Sequence, residues 1–241
     1  MDLTFLLLGF ALVAFLYAGV GHGGASGYLA VMALLSYPMA DARPDALVLN
    51  IAVSGIAFRQ FYRAGHFYLR DFLWLAAFSV PAAFAGGLMV LEDSIYKKLL
   101  GGMLLAGTSL MVFKPSQSAD IHRMPAVAAA FVGLLIGLVS GLTGIGGGIL
   151  LSPLMILAGW AGQKQAAALS SAFIFVNSIS GLLGWLKTGK TLDSQLPWML
   201  AVVLVFGLLG AYLGANRYQS KGLKWLLIIV LIIASVKLLL V

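Results

Sequence analysis

The chain alternates between long apolar runs and short polar turns from one end to the other. Ten runs can be delimited, at about 3–20, 24–37, 45–62, 72–90, 95–113, 125–141, 147–158, 165–186, 195–214 and 222–241. A helix rising 1.5 Å per residue crosses a bilayer core of roughly 30 Å in about 20 residues, and most of the runs come close to that length. Period-two alternation, the mark of a membrane β-barrel, is absent. A segment in lipid must satisfy its backbone hydrogen bonds internally, so the runs read as helices. The expected fold class is an all-α membrane protein, a polytopic helical bundle whose turns are too short to hold a soluble domain.

The most polar stretch is 114–124, close to the midpoint, and it reads as a linker. It divides the chain into a first transmembrane repeat, 1–113, and a second, 125–241, of five runs each. The same features recur in the same order at a spacing of roughly 120 residues. Each half opens on a run interrupted by glycine (Gly21-His22-Gly23-Gly24 and Gly144-Ile145-Gly146-Gly147-Gly148) and continues into a run bearing Asn and Ser (Asn50 and Ser54; Ser170, Asn177 and Ser178). Each then reaches a basic turn with glycine, Arg63 to His66 and Lys187 to Lys190. Five runs is an odd number, so the second half is predicted to be inverted relative to the first, the arrangement of many transporters. Arg59, Arg63, Arg70, Lys114, Arg123, Lys164, Arg217, Lys221 and Lys224 fall on one side of that topology. Arg43, Lys97, Lys98, Lys187, Lys190 and Lys237 fall on the other. Nine against six places both termini outside.

The glycine interruptions are the candidate site. Glycine takes positive φ and lets groups approach the backbone closely, and consecutive glycines unwind a helix. Unwound backbone is tolerated at membrane depth only where protein covers it or it lines a cavity. Its free amides, next to a helix N-terminus, suit an anion. Gly133, Gly137 and Gly141 differ: their spacing of four is the pattern of close helix packing.

Composition gives the site a sign. Only 10% of the 241 residues are charged, against roughly 25% in soluble domains, and the mean hydropathy is +1.02. The net charge of +7 is scattered over turns, so no nucleic-acid partner is expected. With no cysteine, neither disulfides nor thiolate chemistry arises. Met1-Asp2-Leu3 lacks a basic leader, so no signal peptide is expected. Asp2, Asp41, Asp45, Asp71, Glu92, Asp93, Asp120 and Asp193 all read as lying in or beside turns. Carriers of cations usually place carboxylates mid-membrane. Their expected absence argues for an anion, and with one histidine, His22, inside a hydrophobic region it argues against a metal. No cofactor is expected.

The stretch from Gly141 through Thr143 and Gly144 to Gly148, running on to Pro153-Leu154, resembles the signature of the TauE/SafE sulfite exporter family of bacterial permeases. Gly21 to Gly24 is similar to the family's first-half copy, departing from it by His22 and by having only two adjacent glycines. The resemblance covers nearly the whole chain. It implies outward movement of small sulfur-containing anions such as sulfite or sulfoacetate.

Together these readings give a secondary transporter of the cell membrane, not an enzyme, working by alternating access. The expected substrate-binding residues are His22, Gly23, Gly24, Ser26, Asn50, Thr143, Gly146, Gly147, Gly148, Ser171 and Asn177. His22 could add positive charge or couple to protons. Expected partners are a small anion and the lipid bilayer, with a proton or another ion as candidate coupling species and a homodimer as candidate assembly. The rival readings are an intramembrane serine hydrolase using His22 and Ser26, which lacks an orienting carboxylate and a nucleophile elbow, and an anion channel.

Overall fold

The structure, a computed structural model, describes residues 3–19, 23–112, 121–189, 192–216 and 221–240. Among these the only regular structure is helical. The elements are α1 (Leu3–Gly19), α2 (Ala25–Leu34), α3 (Met39–Arg63), α4 (Leu69–Leu88), α5 (Asp93–Val112), α6 (Ala126–Thr143), α7 (Gly148–Leu157), α8 (Gln163–Leu186), α9 (Leu196–Asn216) and α10 (Lys221–Leu240). The ten apolar runs thus correspond to ten helices. Most of the linker expected at 114–124 lies outside the described residues.

The largest difference in a helix start is at the third run: the apolar pattern begins at residue 45, whereas α3 starts at Met39, behind Pro38 at its N-cap. Asp41 sits in the first turn, where the helix dipole favours a negative charge. Pro44 lies early enough to remove only one backbone hydrogen bond. The polar stretch that looked like a turn is therefore helix. Arg43 and Asp45, expected in that turn, are 5% and 0% exposed. A buried Arg43 also drops out of the charge balance used for topology.

Helix lengths run in the same order twice: 17, 10, 25, 20 and 20 residues for α1 to α5, then 18, 10, 24, 21 and 20 for α6 to α10. The long helices α3 and α8 pack against each other. Around them α4 lies along α6 and α1 along α9, while α8 touches α4 and α3 touches α9. Helix α5 packs on α10, with α7 against α5 and α2 against α10. Large side chains such as Leu8, Leu12, Trp74, Phe78, Phe131 and Ile233 remain exposed, as expected of surfaces that face lipid. Among the described residues, three helices are long and apolar enough to cross a membrane alone: Leu69–Leu88, Ala126–Thr143 and Gln163–Leu186. At ten residues, α2 and α7 reach only about half of a bilayer core. The chain is a polytopic helical membrane protein.

The contact between α4 and α6 explains the spaced glycines. A Cβ on Gly133 would lie 2.6 Å from the carbonyl oxygen of Leu75. One on Gly137 or Gly141 would run into the carbonyls of Ser79 and Ala83. The residues repeat every four positions on both helices, so the two backbones touch along a seam. Gly137→Leu should force that seam apart at a cost of about 1–3 kcal/mol. In detergent it should lower the unfolding midpoint, while Gly102→Leu, with open space beside Gly102, should leave it nearly unchanged.

Candidate functional site

The two breaks are built alike. In the first, α1 ends at Gly19 and α2 begins at Ala25 behind Gly24, whose φ of 93° is left-handed. Gly21 and His22 lie outside the described residues. In the second, α6 ends at Thr143 and α7 begins at Gly148, and Gly144, Gly146 and Gly147 between them have φ of 81°, 79° and 80°. That conformation costs an L-residue roughly 1–2 kcal/mol, which accounts for the contiguous run. Gly23, Gly24 and all residues from Thr143 to Gly148 are buried.

Both breaks close on one side chain, Asn50 of α3. Its Oδ1 accepts a hydrogen bond from the Ala25 amide at 3.2 Å. Its Nδ2 donates to Ser178 Oγ of α8 at 2.9 Å and lies 3.5 Å from the Ile145 carbonyl. Gly23 sits against Oδ1 and Gly146 against Nδ2, and a Cβ on either would collide with the carboxamide. Ile174 of α8 touches both glycines from beside Ser178, its Cγ2 lying 2.8 Å and 3.0 Å from those Cβ positions.

The other expected residues divide. Ser26 shares a hydrogen bond of 2.8 Å with the Tyr17 hydroxyl. Gly24 lies under the ring of Tyr28, whose buried hydroxyl has no partner among the described residues. Thr143 donates to the Val139 carbonyl at 2.7 Å, and its Oγ1 lies 3.4 Å from the Ile145 amide. Gly147 is closed in by Ile136 and Phe173, and Gly148 is the first residue of α7. Ser171 and Asn177 use their donors on carbonyls of their own helix, Ala168 at 2.8 Å and Phe173 at 2.8 Å. Asn177 Oδ1 remains buried without a partner among the described residues. The structure thus brings Gly23, Asn50 and Gly146 together and adds Ser178 and Ile174.

A buried charge stands beside the second break. Arg43 gives one terminal nitrogen to Met89 O at 2.8 Å and the other to Gly86 O and Gly87 O at 2.7 and 2.8 Å. These carbonyls lie at the end of α4, where the helix dipole is negative; that of Gly86 also accepts the Met89 amide at 3.3 Å. The Arg43 backbone carbonyl would lie 2.9 Å from a Cβ on Gly144, and the Tyr96 hydroxyl donates to Thr143 O at 2.9 Å. Arg43 was missed because the run was started too late. Its signal was its position in the buried series Arg43, Ala46, Leu47, Asn50 and Ser54 at helical spacing.

Asp45, read as lying in or beside a turn, is instead fully buried within α3. The sign of the site therefore rests on its donors and not on a lack of acids. Among the described residues, no cluster of three His, Cys, Asp or Glu is placed to hold a metal.

The family model described as sulfite exporter TauE/SafE matches residues 5–238. The probable membrane transporter protein y4hK of Sinorhizobium fredii is 34% identical over 239 residues, 97% of either chain. A probable membrane transporter protein of a Sinorhizobium species, ORF9, is 28% identical over 252 residues, covering 99% of this chain and 94% of its own. A third, MJ0441 of Methanocaldococcus jannaschii, is 31% identical over 131 residues, about half of each chain. No solved structure matches the chain. With a family match from residue 5 to 238 and a full-length relative at 34% identity, this chain is a membrane transporter belonging to the TauE/SafE sulfite exporter family.

Proposed function

We propose that the chain carries small sulfur oxyanions or sulfonates across the cell membrane, outward as the family's description implies, by alternating access at the junction of the two glycine breaks. The observation that carries this reading is the single carboxamide of Asn50, held between Gly23 and Gly146. Asn50 Oδ1 takes the Ala25 amide at the start of α2. That is the place an anion's oxygen would take at a helix N-terminus. Asn50 then acts as a placeholder that the anion displaces, with Ser178 and the opening amides of α2 and α7 as further donors.

Exchanging α1–α5 for α6–α10 maps α1·α9 onto α4·α6, α3·α9 onto α4·α8, and α2·α10 onto α5·α7. This supports two repeats, 1–113 and 125–241, which an odd helix number makes inverted. Inversion would bring the breaks in from opposite faces to one shared site. Rocking the repeats about the α3–α8 contact would expose that site to each side in turn.

The test is ligand-induced stabilisation of the purified protein by sulfite, sulfate, thiosulfate and sulfoacetate. A ligand at a hundred times its Kd stabilises by about 2.7 kcal/mol, a clear rise in unfolding midpoint. Asn50→Asp should abolish the rise, because a fixed carboxylate occupies the donors and repels the ligand. If none of the anions stabilises the protein or crosses proteoliposomes containing it, the reading is wrong.

A further inference from the structure

Tyr37, in the turn between α2 and α3, sets its hydroxyl between two carboxylates. Asp45 Oδ2 of α3 lies 2.8 Å away. Asp193 Oδ2, from the turn leading into α9, is in close contact with the same hydroxyl oxygen. A phenol carries one hydrogen, so it can donate to only one of them. The second contact would set acceptor against acceptor unless one carboxyl brings a hydrogen of its own.

Asp193 is not that group. It is only partly buried, and its Oδ1 accepts the Gln195 amide at 2.8 Å. That amide first, and the Tyr37 hydroxyl second, hold its carboxyl below the ordinary range. Asp45, by contrast, is fully buried, and its Oδ1 has no hydrogen-bond partner among the described residues, the Asp193 backbone amide being the one peptide donor near the carboxyl. The second hydrogen therefore belongs on Asp45. The chain of contacts runs from the Asp45 carboxylic acid to the Tyr37 hydroxyl and from that hydroxyl to the Asp193 carboxylate.

We propose that Asp45 is the residence of a coupling proton, exchanged with the aqueous phase on that side through Tyr37 and Asp193. The inference rests on the transport reading above and supplies its coupling ion. In the exchange, the Asp45 proton passes to the Tyr37 oxygen as the phenolic proton passes to Asp193, which releases it to water. With that proton gone, two carboxylates face one phenolic hydrogen. Their repulsion loosens the tie between the α2–α3 and α8–α9 turns.

Two placements make this tie suited to coupling. Asp45 precedes Asn50 by five residues on the same helix, about 7.5 Å of rise, so loss of the tie is felt where the breaks meet. A comparable contact, between the start of α8 and the turn before α4, is uncharged: Gln165 Nε2 lies 3.3 Å from the Tyr68 hydroxyl. Titration of the triad therefore acts on one tie and leaves the other alone.

Among the described residues, the surrounding charges do not neutralise Asp45. Asp41, one turn earlier on α3, is exposed and negative. Lys237 of α10 reaches the Leu34 carbonyl at 3.0 Å and Ser36 Oγ at 3.1 Å, steadying the Tyr37 turn. Arg43 is committed to the end of α4. On α5, Asp93 pairs with Lys97. Lys187, at the end of α8, is exposed.

The decisive measurement is infrared difference spectroscopy of the purified full-length protein near neutral pH. A protonated-carboxyl band should be present, should vanish in Asp45→Asn and should persist in Asp193→Asn. Absence of the band, or its loss in Asp193→Asn instead, overturns the proposal. If Asp45→Asn does not fold, Tyr37→Phe serves, because removing the hydroxyl must shift the band; an unshifted band overturns the proposal as well. In sulfite-loaded proteoliposomes, a pH gradient should accelerate wild-type flux at least tenfold over gradient-free flux, and that ratio should fall to near one in Asp45→Asn. A ratio retained by the variant counts against the proton site. Wild-type protein that moves no sulfur anion counts against the transport reading alone, since the infrared band still decides the protonation of Asp45.

Discussion

Gly146→Ala is expected to abolish transport, with flux in proteoliposomes down by on the order of 100-fold. Two costs add at this position. Its φ of 79° is left-handed, which penalises any L-residue by roughly 1–2 kcal/mol. The new methyl would also run into Asn50 Nδ2, with Ile174 and Ser178 close on either side. The carboxamide cannot yield without surrendering its bonds to Ser178 and the Ala25 amide. A lost buried hydrogen bond costs about 1–3 kcal/mol, and two such costs on a gating step amount to about two decades in rate. Gly65→Ala and Gly189→Ala separate the causes. Both positions have positive φ, at 75° and 77°, but open space around them, so they bear the backbone cost without the collision. Their flux should stay within a few-fold of wild type. Equal losses in all three variants would remove Asn50 from the mechanism.

The sequence carried the ten helices and the two breaks because each rests on a local signal: apolar run length for the helices, contiguous glycine for the breaks. It also separated two uses of glycine. Gly133, Gly137 and Gly141 keep a spacing of four and pack against α4, whereas Gly144, Gly146 and Gly147 take left-handed φ between two helices. What it could not carry was pairing across the chain. That Gly23 and Gly146 share one side chain depends on α3 and α8 crossing at Asn50 and Ser178, which no window of sequence records. Nor could it tell which polar groups are already committed. Thr143, Ser171 and Asn177 match the expected pattern, yet each gives its donor to a carbonyl of its own helix. Hydroxyl and amide side chains in apolar helices satisfy themselves this way when no partner faces them. The start of α3 was obscured by its own chemistry: Asp41, Arg43, Pro44 and Asp45 have the composition of a turn, and only the burial of Arg43 and Asp45 shows otherwise.

Arg43→Met should be the most destabilising single change outside the breaks. The guanidinium holds three carbonyls at the end of α4, and those of Gly86 and Gly87 belong to buried residues. Methionine fills much of the same volume but leaves the Gly87 carbonyl without its donor, at about 1–3 kcal/mol, and the Gly86 carbonyl with only the Met89 amide at 3.3 Å. A loss of about 3 kcal/mol would be a large part of the stability of a typical fold. Arg43→Lys should recover only a fraction, because one ammonium cannot reproduce a planar fork set across several acceptors. Arg63→Met, at the exposed end of α3, should cost little. The effect should also reach the site, since the Arg43 backbone lies against Gly144 and its side chain ties α3 to α4. Loosening that tie frees the second break from the end of α4. Thermal unfolding of the four proteins in detergent should therefore rank wild type close to Arg63→Met, then Arg43→Lys, then Arg43→Met. Transport measured on the surviving folded fraction should follow the same order. An Arg43→Met protein that unfolds with the wild type would mean that water, and not the guanidinium, satisfies the end of α4.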